Sequence, residues 1–129
     1  MAIGTDKAVI TKEGGLAVNL TSKDDIYAGH ILQVNTSNAD SVECCTSETT
    51  ICGVAYNAAS DNDPVWVVKA GIAKCLVGDE VSITAGDKVY SSSRNNKVIC
   101  NSTNGNPIGV ALEDVTGSGG TTLCKVLLY

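Results

Sequence analysis

The sequence contains no phenylalanine, one tryptophan, one methionine and one histidine. A core must therefore be built from Val, Ile, Leu, Ala and Cys, and the apolar share of 43 % is enough for one. Arginine occurs once, as Arg94, and the lysines are scattered. Nucleic-acid binding needs clustered Lys and Arg to displace counterions. With a net charge of −5 the chain does not offer that, so no nucleic-acid partner is expected. No apolar run approaches the roughly 20 residues of a membrane span. Met1 to Lys12 lacks the apolar region of a secretory signal, so synthesis in a bacterial cytoplasm is expected. In that compartment Cys44, Cys45, Cys52, Cys75, Cys100 and Cys124 are expected to stay reduced thiols.

Helical periodicity is also missing. No window of helical length carries a 3.6-residue apolar stripe. What is present is a series of short apolar runs rich in β-branched residues, bounded by Gly, Asn, Asp or Ser. That is the pattern of strands joined by turns. The first runs, Lys7 to Thr11 and Leu16 to Leu20, flank Glu13-Gly14-Gly15 and read as a hairpin. Val65 to Lys69, with Trp66 between valines, is the strongest strand. About ten short, mainly antiparallel strands at ten-residue spacing predict an all-β barrel or sandwich.

One phrase occurs twice. Ala85-Gly86-Asp87-Lys88-Val89-Tyr90 matches Ala28-Gly29-His30-Ile31-Leu32-Gln33-Val34. Ile108-Gly109-Val110-Ala111-Leu112-Glu113 matches Ile51-Cys52-Gly53-Val54-Ala55-Tyr56-Asn57. The glycines keep nearly constant offsets, 86 − 29 = 57 and 109 − 53 = 56. Ala-Gly-Asp before a strand is a tight turn whose Gly adopts angles other residues resist. A glycine inside a strand marks a bend or a close backbone approach. The expected organisation is an N-terminal arm or hairpin over residues 1–20, followed by one β-domain over 21–129. That domain has two related halves, about 28–77 and 85–128.

Residues that carry chemistry are few. His30 lies at a strand start, with no nucleophile or carboxylate tied to it by a recognisable spacing, so a hydrogen-bonded structural role is expected. Cys44-Cys45 with Cys52 does not have the Cys-x2–4-Cys spacing of a zinc site. Asp61-Asn62-Asp63 opens like a calcium loop, but Trp66 and Ile72 stand where the loop needs Gly and Glu. Gly117-Ser118-Gly119-Gly120 lacks the Lys-Ser/Thr ending of a phosphate loop and reads as a turn. Asn19-Leu20-Thr21, Asn35-Thr36-Ser37 and Asn101-Ser102-Thr103 match the glycosylation pattern, which is incidental without export. Trp66 suits equally an interface anchor or the main core aromatic. The reading is non-catalytic, with no cofactor and no metal.

The ordered series Ala28 to Val34, Ile51 to Ala55, Ala70 to Val77, Ala85 to Tyr90, Ile108 to Asp114 and Leu123 to Leu128 resembles the small capsid decoration (cement) proteins of tailed bacteriophages. The resemblance implies a compact β-domain on the capsid exterior. Its implied partners are the major capsid protein and other copies of itself, with a trimer favoured. The contact would use the N-terminal segment and Trp66, through Ile3, Lys7, Val9, Ile10, Leu16, Val18 and Trp66. The Cys-rich segment Cys44 to Cys52 and the absence of Phe depart from that family's pattern. The alternative is a glycan-binding or adhesive β-module on a virion surface. A biotinyl- or lipoyl-like carrier is disfavoured because neither Lys88 nor Lys97 sits at a hairpin tip in the right context.

Overall fold

In the computed structural model, residues 9–46, 51–92, 97–102 and 107–129 are described. Thirteen short strands follow one another: β1 (Val9–Ile10), β2 (Leu16–Ser22), β3 (Ile31–Val34), β4 (Ser41–Cys44), β5 (Ile51–Ala55), β6 (Pro64–Ala70), β7 (Ile72–Leu76), β8 (Ser82–Ile83), β9 (Lys88–Ser91), β10 (Ile99–Cys100), β11 (Pro107–Ala111), β12 (Val115–Thr116) and β13 (Leu123–Leu128). No helix occurs among the described residues. The fold is all-β, as expected, and of the expected barrel or sandwich it includes a closed five-stranded barrel, with a second five-stranded ring beside it.

The first ring runs β2-β4-β3-β5-β6 and closes because β6 also pairs with β2. The second runs β7-β13-β11-β9-β10, and a bridge from Val77 to Ile99 closes it. The pairings correspond one for one. In each ring a single parallel contact, β2–β4 or Val77–Ile99, joins strands otherwise linked antiparallel. Strands β2-β3-β4-β5-β6 thus match β7-β9-β10-β11-β13 in chain order and in neighbours. Outside the rings, the Ile26–Ala59 bridge has its counterpart in the β8–β12 pair, where Ile83 faces Val115. The repeat legible in the glycines is a repeat of topology.

Side-chain alternation explains the cores. Ile26, Leu32, Val42, Ala55, Val65 and Val67 fill the first ring. Their counterparts Ile83, Val89, Ile99, Ala111, Cys124 and Val126 fill the second. These are the aliphatic and thiol side chains that the absence of Phe demanded, and each fully buried Val, Leu or Ile contributes about 1.5–3 kcal/mol. The residues between them on the first ring, Ala17, Ile31, Val54 and Val68, point outward yet belong to the same cluster as the second ring's core. The second ring covers that face, so the two rings share a continuous interior.

Two glycine pairs show why the sequence repeats where it does. Gly29 and Gly86 have φ of +92° and +93° in equivalent turns. A Cβ on Gly53 would lie 2.6 Å from the Val68 carbonyl oxygen, and one on Gly109 would overlap the Leu127 carbonyl. These strands pass too close for any side chain.

β2 is an integral strand of the first ring and the counterpart of β7. Its Leu-Ala-Val-Asn-Leu pattern reads as a hairpin partner for β1, and sequence gives no sign of its pairing with β6 some fifty residues later.

Candidate interaction surface

The N-terminal hairpin is held by its turn. The Thr11 amide donates to the Gly15 carbonyl at 2.6 Å, and the Gly15 amide donates to Thr11 Oγ1 at 2.8 Å. The turn aligns β1 with the start of β2, pairing Val9 with Ala17 and Ile10 with Leu16. This presents three apolar side chains to solvent: Val9, Leu16 and Ile10, the last 80 % exposed. Ile10 and Leu16 face one another across the hairpin, and Val9, paired with Ala17, lies on its other face.

The other interface candidates are placed differently. Val18 is half-buried against the interior of the first ring. Trp66 is half-buried against the shared core, with its amide donating to Asn57 Oδ1 at 2.8 Å. Ile3 and Lys7 lie outside the described residues. The structure brings Val9, Ile10 and Leu16 together on one hairpin and sets Val18 and Trp66 apart from them.

Sequence spacing did not reveal one constellation. Pairing of β3 with β4 brings Cys44 Sγ within 3.6 Å of His30 Nδ1, and Asp24 Oδ2 accepts a hydrogen bond from the Cys44 amide. A hairpin over residues 31–44 is the signal that could have suggested it. The chemistry is that of packing. His30 Nδ1 already accepts the Tyr27 amide at 3.1 Å, and the ring stacks on Tyr27 at 5.4 Å. Burial, and then the charge of Lys97, holds the imidazole below its ordinary range, so it stays neutral. Burial, and then the neighbouring Asp24 carboxylate, pushes the Cys44 thiol up to about 12. A protonated thiol beside an imidazole whose nitrogen is engaged is no nucleophile.

The clefts carry no more chemistry. A hollow of about 400 Å³ is lined by Asp25, Ile26, Tyr27, Ala58, Ala59, Ser60 and Asp63. Its polar side chains are two carboxylates, a tyrosine and a serine. A smaller one of about 70 Å³, at the junction of the rings, includes Gly29, Val68, Lys74 and Leu123. Among the described residues no group of three or more His, Cys, Asp or Glu is placed to hold a metal ion. The hairpin sets exposed aliphatic side chains at the edge of the first ring.

Comparison with known proteins agrees in kind. The sequence model of a family described as "Phage cement protein" matches residues 11–126, from the hairpin turn through the last strand. Among solved structures, the head fiber gp8.5 N base of bacteriophage phi29 superposes with a TM-score of 0.68 at 13 % identity. The match covers 88 % of this chain and 92 % of that one, and it is a likeness of fold. A search of curated proteins gave no match.

Proposed function

The chain belongs to the phage cement protein family, and from that premise we propose that it decorates the outer surface of a phage shell and stabilises it. The observation that carries the reading is the family match over residues 11–126, which includes strands of both rings. The protein would be made in the bacterial cytoplasm and act on the virion exterior. Its partner would be the major capsid protein, and it would bind as a homo-oligomer, with a trimer favoured.

The physics suits that role. A protein that binds the assembled shell and not its separated subunits raises shell stability by mass action. Many copies at symmetric positions make modest single contacts collectively strong. A net charge of −5 keeps an abundant surface protein soluble. The contact is assigned to the N-terminal segment, where Val9, Ile10 and Leu16 are exposed and Ile3 and Lys7 precede them.

The test is the copy number of this chain in purified particles, measured by quantitative mass spectrometry against the shell subunit. A fixed ratio is expected, and a ratio near zero overturns the reading. Deleting Ala2 to Lys12 should remove the protein from particles while leaving its thermal unfolding in place. Unchanged occupancy would move the contact elsewhere.

A further inference from the structure

The internal repeat exposes on one ring the face that is covered on the other. On the first ring, Ala17, Val68, Val54 and Ile31 stand side by side across β2, β6, β5 and β3. All four are at most 1 % exposed. On the second ring the same register places Ile72, Leu127, Val110 and Lys88 across β7, β13, β11 and β9. Here Ile72 and Val110 are half-buried, Leu127 is 47 % exposed, and Lys88 is exposed.

The turn glycines repeat the asymmetry. Gly29 is buried, and a Cβ there would meet Leu123 and Leu76 of the second ring. Gly86 has the same backbone angle, but a Cβ there would meet nothing within 4 Å.

The covered face shows what occupies it: another ring of the same topology. The Leu76 amide donates to the Gly29 carbonyl, and the Ile31 amide donates to the Lys97 carbonyl, each at 3.0 Å. The contact is heterologous, since the face of one ring meets the β7 and Lys97 side of the next. A heterologous contact leaves one unsatisfied face at each end and can recur between molecules.

We propose that the second ring's open face, Ile72, Leu127, Val110 and Lys88, docks head-to-tail on the first ring of a second copy of this chain. This gives a face to the homo-oligomer of the preceding reading and rests on that part of it. The repeat also fixes the register. Lys97 meets Ile31 within the chain. Fifty-seven residues earlier than Lys97 stands Asp40, and fifty-seven later than Ile31 stands Lys88. Repeating the internal contact between molecules therefore sets Asp40 of the second copy beside Lys88. Both residues are exposed and of opposite charge.

The experiment is sedimentation of the purified full-length chain across a concentration series, without shells. The wild type is expected to assemble, and Leu127→Glu to leave it monomeric. Lys88→Glu and Asp40→Lys, each alone, should weaken association roughly tenfold or more, because each sets like charges together. An equimolar mixture of the two restores assembly, since each broken end finds a partner of opposite charge. The substituted side chains are surface ones, and unchanged thermal unfolding verifies folding. A monomeric wild type, indifference to Leu127→Glu, or a mixture that fails to recover each overturns the proposal. A monomer that still decorates particles would overturn it and leave the shell-binding reading standing. An assembling protein missing from particles would do the reverse.

Discussion

His30 and Asp87 do the same job in the two rings with different chemistry. The Tyr27 amide donates to His30 Nδ1 at 3.1 Å, and the Thr84 amide donates to Asp87 Oδ2 at 2.9 Å. In both turns the main chain also closes alike: the His30 amide donates to the Tyr27 carbonyl and the Asp87 amide to the Thr84 carbonyl. The single histidine of the chain is thus a turn cap. Its neutral ring nitrogen accepts where the repeat's other copy uses a carboxylate.

This relationship predicts two acid-sensitive windows. The folded state holds His30 below its ordinary value of 6.5, through burial first and Lys97 second. The unfolded chain therefore takes up the proton first as pH falls. The contribution of His30 is complete above 6.5 and declines as pH drops below it. Asp87 is held below its ordinary 3.8 by the Thr84 amide first and Asn101 second, so its contribution is complete above 3.8 and lost below. Chemical denaturation from neutral to acid pH should show the first decline, and His30→Asn, which keeps an acceptor without the titration, should flatten it. An unchanged slope in that variant would assign the decline to other groups.

The close strand crossings predict a second result. Gly53→Ala and Gly109→Ala drive a methyl group into the carbonyls of Val68 and Leu127. Each should lower stability by about 1–3 kcal/mol, the usual cost of overpacking. Thermal or urea unfolding reads it directly, and equal losses at the two sites would mark them as equivalent.

The thiols predict a third. Burial is the first cause in every case: it raises Cys52 and Cys75, lifts Cys44 to about 12 with Asp24 second, and lifts Cys124 to about 11 with Glu113 second. Thiolate is the reactive form. Alkylation of Cys44, Cys75 and Cys124 at mildly alkaline pH should be slower by roughly two orders of magnitude or more than in the unfolded chain, and that of Cys52 slower as well. Peptide mapping after a timed pulse separates the sites. Rapid labelling of Cys75 or Cys124 in the native protein would contradict the packing.

The fourth prediction concerns Ser91. It is fully buried, and among the described residues its hydroxyl has no hydrogen-bond partner. Removing an unpaired buried hydroxyl relieves its desolvation, so Ser91→Ala should raise stability by about 1 kcal/mol. A loss of similar size in urea unfolding would mean that the hydroxyl is bonded.

Much of the fold was legible because it is written locally. Gly29 and Gly86 mark turns that only glycine makes easily, and alternation in Val65 to Lys69 or Leu123 to Leu128 is a two-residue period visible without any partner. The ring closures were not legible. The parallel contacts of Thr21 with Ser41 and Val77 with Ile99 join residues whose own patterns carry no sign of a neighbour. The same limit hid β2's place in the first ring and the approach of Cys44 to His30. The interface candidates divide along this line. Val9 and Ile10 stay exposed because their partner strand lies close in sequence. Val18 and Trp66 are drawn inward by packing that only the closed ring creates.

Ring closure also governs how the protein behaves when crowded. An open sheet ends in strands whose amides and carbonyls invite pairing with any neighbouring chain, and such edges seed aggregation. Here β6 pairs back onto β2, so the first ring closes on itself. Among the described residues β1, β8 and β12, each two residues long, pair on one side, and β7 and β10, the end strands of the second sheet, meet only through the Val77–Ile99 bridge. Molecules packed side by side at high local density then find no open strand edge on the first ring. Edge-to-edge β pairing has no template there.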